Sequence, residues 1–185
     1  MQTRAPQFEL FIMNTSKSSE PVAVPEFQVV GPQHAQALAA FFERLRANGD
    51  ESYFHPHPLT GGEAQKRAAY CGLDFYCVLM QGSAVVAYGM LRGWDEGYEV
   101  PAIGAAVDPS AQGHGYGRLL MNYLHATARE RGVKRIRVTV ELGNIRSVAM
   151  CRSLGYVFQD PENGRIIGFL PLNPPVGRSP EEMVR

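Results

Sequence analysis

The chain has 185 residues, 45% of them apolar and 19% charged, which suits one soluble globular domain with a substantial core. Its 18 Lys and Arg balance its 18 Asp and Glu, so it lacks the basic excess that a nucleic-acid binder uses against phosphates. The three cysteines, Cys71, Cys77 and Cys151, form no CxxC pair, which argues against a disulfide framework or a zinc knuckle and suits reduced thiols in a cytoplasmic protein.

In chain order, residues 1–25 read as a loose leader, polar, Ser-rich and broken by prolines. Its apolar patch, Phe8 to Met13, is shorter than a signal peptide requires, and Met13 is an alternative start. FQVV (27–30) reads as a first strand, and apolar residues at 35, 38, 41, 42 and 45 predict a helix that stops at Gly49. DESYFHPHPLTGG is a loop. EAQKRAAYCG (63–72) is a short helix. DFYCVLM and AVVAYGMLR predict a hairpin turning at Gln81-Gly82-Ser83.

YEVPAIGAAV (98–107) is a further strand, in which Pro101 implies an edge, a bulge or a splayed partner. After Asp108-Pro109 come three glycines two apart, Gly113, Gly115 and Gly117, and then a helix with apolar residues at 119, 120, 123, 124 and 128. KRIRVTVEL is a strand, IRSVAMCRSLG a helix and YVFQ a short strand. A turn at Pro161 to Gly164 leads to the last strand, RIIGFL. The domain so defined spans residues 26–171, and the Pro-rich remainder (172–185) is an extended tail. The order β-α-α-β-β-β-α-β-α-β-β predicts an α/β or α+β domain with a mixed sheet.

A strand, a glycine loop and a helix in succession make an anion site. The first amides of the helix lack partners and carry partial positive charge, and glycines let the backbone approach a phosphate. The spacing fits neither GxGxxG with a following acid nor GxxxxGK[ST]. It reads QxxGxG, from Gln112 to Gly117.

With the VDP turn before it and Asn144, Ser147, Met150-Cys151 and Leu154-Gly155-Tyr156 after it, this stretch resembles the GNAT superfamily of acyl-CoA-dependent N-acyltransferases over roughly residues 26–170. The resemblance implies a mostly antiparallel sheet flanked by helices, with a splayed strand pair holding acetyl-CoA as donor and no metal. It places the pyrophosphate on the amides of Gln112, Gly113, His114, Gly115, Tyr116, Gly117 and Arg118. The pantetheine arm would lie along the strand ending Ala105, Ala106, Val107, with a backbone N–H near Val107 polarising the thioester carbonyl. Asn144 and Cys151 would close the donor site. An amine would attack directly and the coenzyme thiolate would leave.

Many members carry a tyrosine at the position of Cys151, read as the acid for the leaving thiolate. Cys151 is then a core residue, the acid itself, or an acylated nucleophile; otherwise the acid is elsewhere, such as Tyr156 or water. For the acceptor side the candidates are Phe54, His55, His57, Trp94 and Glu96, with Tyr53 beside them, and with His57 or Glu99 as base. Each has a plainer alternative: a Pro-stiffened surface loop for the histidines, a solvated hairpin end for the acids and a core cap for Trp94.

The acceptor expected is a small primary amine, an amino sugar being suited to aromatic and His faces. A basic peptide held by Asp50, Glu51, Asp95, Glu96 and Glu99 is the alternative, and a non-catalytic acyl-CoA sensor the rival from another class. No nucleic acid or membrane partner is expected. A homodimer through the last strands is a further implication of the resemblance.

Overall fold

The computed structural model describes residues 24–172. Residues 1–23 and 173–185, which hold nearly all of the expected leader and tail and the alternative start at Met13, lie outside the described residues. The seven strands and four α-helices come in the expected order: β1 (Glu26–Val29), α1 (Ala35–Ala47), α2 (Gly61–Ala68), β2 (Phe75–Gln81), β3 (Ala84–Arg92), β4 (Ala102–Val107), α3 (Tyr116–Glu130), β5 (Arg135–Glu141), α4 (Ile145–Ser153), β6 (Val157–Phe158) and β7 (Arg165–Pro171). They form one sheet in the order β1-β2-β3-β4-β5-β7-β6, antiparallel at every pairing except β4 with β5.

β2 and β3 are apolar at almost every position, and such runs need cover on both faces. Tyr76, Val78, Tyr88 and Met90 pack with Leu38, Phe41, Phe42 and Leu45 of α1. Cys77, Leu79, Ala87 and Leu91 pack on the opposite face with Leu120 and Leu124 of α3. Each fully buried large apolar side chain contributes about 1.5–3 kcal/mol, so these two clusters hold the helices to the sheet. Gly89 sets the approach of α3: a Cβ there would stand 2.6 Å from Leu120 Cδ1 and 3.0 Å from Leu124 Cδ1.

Two elements depart most from expectation. α2 starts at Gly61 and ends at Ala68, earlier than the expected 63–72, because the Thr60 hydroxyl accepts the Glu63 N–H at 3.2 Å and caps the helix ahead of its glycines. β4 begins after Pro101 rather than spanning it. A bulge in β3 adds Val86 between the pairs Leu79–Ala87 and Met80–Val85. The Val86 carbonyl then accepts the Asp108 N–H at 2.9 Å, fixing the end of β4 where the glycine loop begins.

Among the described residues, no helix is long and apolar enough to cross a membrane.

Candidate active site

The site begins with a strand pair that fails to stay paired. β4 and β5 meet at a single register position, Ala102 with Arg137, where the Arg137 N–H donates to the Pro101 carbonyl at 3.0 Å. Of the three alternatives raised by Pro101, the splayed partner is the one found. Beyond that contact the strands part. Successive strand residues aim their N–H and C=O groups to opposite sides. The Asp108 N–H points to β3, so the N–H and C=O of Ala105 and Val107 point into the gap.

At the wide end of the gap lies the glycine loop. Gly113 and Gly115 have φ of +84° and +83°, a region that only glycine enters without strain. Gly115 is the N-cap of α3 and has no side chain to cap it. Among the described residues, no backbone N–H from Gln112 to Arg118 finds an acceptor within the chain. The loop is held from behind by Asp108, which accepts the Ser110 N–H at 3.0 Å and pairs with Arg44 of α1. Burial opposes ionisation of Asp108, but its bonds from Ser110 and Arg44 outweigh this and hold its carboxyl below the usual range.

Two adjoining cavities follow the gap through the sheet. One, of about 530 Å³, is lined by Ala105, Ala106 and Val107 of β4 and by the loop residues Gln112, Gly113, Gly115, Tyr116, Gly117 and Arg118. Asn144, Ser147 and Met150 at the start and middle of α4 line both cavities, as do Tyr53 and Phe54. Asn144 is fixed there as the N-cap of α4, its side chain accepting the Ser147 N–H at 3.1 Å. Of the expected donor-site residues only His114 lines neither cavity; its Nδ1 lies 3.1 Å from the Gln112 carbonyl of its own loop.

The other cavity, of about 420 Å³, reaches both faces of β5: Val138 and Val140 from the α3 side, Arg137, Thr139 and Glu141 from the opposite side. Cys151 lines it from α4, almost fully buried, with its thiol pushed up to about 11 by burial. His55 and Phe54, expected on the acceptor side, line it as well. His55 Nε2 lies 2.8 Å from Glu141 Oε1, and Arg165 Nε lies 2.6 Å from the same oxygen. The bond from Arg165, with His55 adding to it, holds the Glu141 carboxyl below its usual range. Glu96 lines the cavity too, 3.9 Å from Arg92.

The remaining candidates fall elsewhere. His57 is buried, its Nε2 3.1 Å from the Tyr88 hydroxyl and its ring packed on Phe42 and Phe54. Burial lowers its pKa and keeps it neutral, so it is a core residue of the α1 side. Trp94 packs against the α3 side of the core with the Arg131 guanidinium 4.9 Å from its ring, away from both cavities. Glu99 is exposed, precedes β4 and lines neither cavity. Tyr156 is buried with its hydroxyl 2.9 Å from His125 Nε2, burial pushes its pKa up, and it lines neither cavity.

Sequence reasoning missed Glu141, Arg137, Arg165 and Arg92, all lining the acceptor cavity. The signal for the first two was the period-two pattern of β5, which places Arg137, Thr139 and Glu141 on one face.

The model of the acetyltransferase (GNAT) family matches residues 38–156. Among solved structures, the GNAT domain of S. lividans PAT is 19% identical, with a TM-score of 0.70 over 80% of this chain and 90% of that one. The ribosomal-protein-S18-alanine N-acetyltransferase of Escherichia coli is 20% identical, with a TM-score of 0.63 over 81% and 95%. YncA of Salmonella typhimurium, a putative acetyltransferase solved with acetyl-CoA, is 18% identical, with a TM-score of 0.64 over 80% and 94%. At these identities the likeness is one of fold. No curated protein matches significantly.

Proposed function

The chain belongs to the GNAT acetyltransferase family, and from that premise we propose that it moves an acetyl group from acetyl-CoA to the primary amine of a small molecule. The observation that carries this reading is the parting of β4 from β5, which joins a loop of unpartnered amides to a cavity through the sheet that charged side chains help to line. The pyrophosphate rests on the amides of Gln112 to Arg118. The pantetheine arm takes the place of the missing strand, bonding to the free N–H and C=O groups of Ala105 and Val107. One of those N–H groups polarises the thioester carbonyl.

The amine enters from the opposite end of the gap. His55 is the base. Its Nε2–H donates to Glu141, which fixes the ring and leaves Nδ1 to take a proton. The amine nitrogen attacks the carbonyl carbon, the N–C bond forms, the C–S bond breaks and the coenzyme leaves as thiolate. His55 carries off the amine proton. Cys151 serves as cavity wall, and water protonates the thiolate.

The expectation of an amino sugar drew on aromatic and His faces; Tyr53, Phe54 and His55 line the cavity while Trp94 and His57 do not, and the proposed acceptor is the class of small amines. The acidic groove expected for a basic peptide does not converge either. Of its five acids Glu96 alone lines this cavity, and Asp95 is bound to Tyr70 and the Leu73 N–H.

The test is release of coenzyme thiol from acetyl-CoA across amino sugars, polyamines, amino acids and short peptides. Turnover is expected with a class of small amine and not with peptides. Tight CoA binding with no turnover on any amine would replace this reading with that of an acyl-CoA sensor.

A further inference from the structure

The acceptor half of the cavity carries more fixed charge than an amine alone requires. Arg92, Arg137 and Arg165 line it with Glu96 and Glu141. Arg165 is bound to Glu141. Arg92 donates to the Pro56 carbonyl and stands 3.7 Å from Asp74 and 3.9 Å from Glu96. The Arg137 side chain, among the described residues, has neither an ion-pair nor a hydrogen-bond partner. Its backbone is rigid, since it sits at the one point where β5 holds both β4 and β7. An isolated guanidinium on a fixed strand, facing a cavity, suits a carboxylate, which it can hold by two parallel N–H bonds.

We propose that the acceptor is an amino acid, an amine that carries a carboxylate, with the carboxylate on Arg137 and the amine toward His55 and Glu141. This rests on the acetyl-transfer reading above and names its substrate class. Arg137 and Glu141 share one face of β5 four residues apart, about 13 Å along the strand. The arginine side chain spans part of that distance, which leaves a length suited to a small amino acid rather than to a protein chain. The two ends of the acceptor thus meet opposite charges: Glu141 attracts the ammonium, Arg137 the carboxylate. A single unpaired guanidinium matches one negative charge, favouring carboxylate over phosphate.

The experiment uses the purified full chain with acetyl-CoA. Thiol release is measured for the common amino acids, for the amide of each, for neutral amines and for phosphoethanolamine. Calorimetry measures binding of the same compounds to the CoA-saturated chain. At least one amino acid is expected to exceed its amide by about tenfold to a hundredfold in kcat/KM. Arg137→Gln is expected to bring that ratio close to one, through KM. Arg135→Gln is the control, since Arg135 lies over the Phe169 ring and outside the cavity, and it keeps the ratio.

Equal use of acids and amides, a preference for phosphoethanolamine, or a ratio untouched by Arg137→Gln overturns the proposal. An amino acid that binds the CoA complex better than its amide but is not acetylated upholds the carboxylate site at Arg137 and sinks the transfer reading, and with it the amino acid's role as acceptor. Acetylation of neutral amines alone does the reverse. Absence of both binding and turnover for every compound overturns both.

Discussion

Cys151 occupies the position where many relatives in the resemblance carry a tyrosine acid, so its replacement separates two mechanisms. Its thiol lies in the cavity wall with burial raising its pKa from an ordinary 9.0 to about 11. A thiol raised in this way is a weaker acid than the coenzyme thiol it would have to protonate, so the transfer runs uphill. A thiolate is a good enough leaving group to depart unprotonated, so the transfer step needs no acid at the Cys151 position and the thiolate takes up its proton after release into solvent.

Cys151→Ala is therefore expected to keep kcat within about threefold of the parent. It will lower stability by about 1 kcal/mol, the cost of removing one buried sulfur. The assay is thiol release at saturating acetyl-CoA, with urea unfolding of both proteins to confirm that the variant is folded at the assay temperature. A fall in kcat beyond about tenfold, at unchanged KM for acetyl-CoA, would refute the reasoning and make Cys151 the acid.

Removing the base acts differently: His55→Ala should lower kcat by about 10²- to 10⁴-fold, and Glu141→Gln by less, since it misorients the ring without removing it. Steady-state kinetics with KM for acetyl-CoA unchanged in both would bear this out; variants as fast as the parent would dismiss His55. Stability should also depend on pH through His125, whose pKa burial lowers from 6.5 to about 4. A group with a depressed histidine pKa favours the folded state fully above 6.5. That contribution fades as pH falls toward 4, because the unfolded chain takes up the proton first. Its ceiling is about 3 kcal/mol. Urea unfolding at pH 7.5 and 4.5 should show the loss, and His125→Gln should flatten it.

What the sequence made legible was backbone chemistry. Glycines at 113 and 115 are needed where the chain turns left-handed, so the anion loop could be read locally; Pro101 precedes β4 and its carbonyl takes the bond that joins the strands, so it does not itself cause the splay beyond. The acceptor side could not be read in that way. His55 and His57 are two residues apart in one Pro-stiffened loop, yet one meets Glu141 at the cavity and the other the Tyr88 hydroxyl in the core. Nothing within the loop distinguishes them, because their partners lie on β5 and β3. Trp94 looked exposed between glycines, but Arg131 at the far end of α3 reaches over its ring. Glu141 needed the register of β5 against β7 to find Arg165 directly opposite.

The central claim is that the gap between β4 and β5, with the glycine loop at its end, is built for coenzyme A. The most direct measurement is calorimetric titration of the chain with CoA, beside the Gly115→Ala variant. At φ +83° an added Cβ costs about 1–2 kcal/mol or displaces the loop amides. The account predicts one CoA bound per chain, with affinity weakened about tenfold in the variant. No binding, or equal affinity for both proteins, would contradict it.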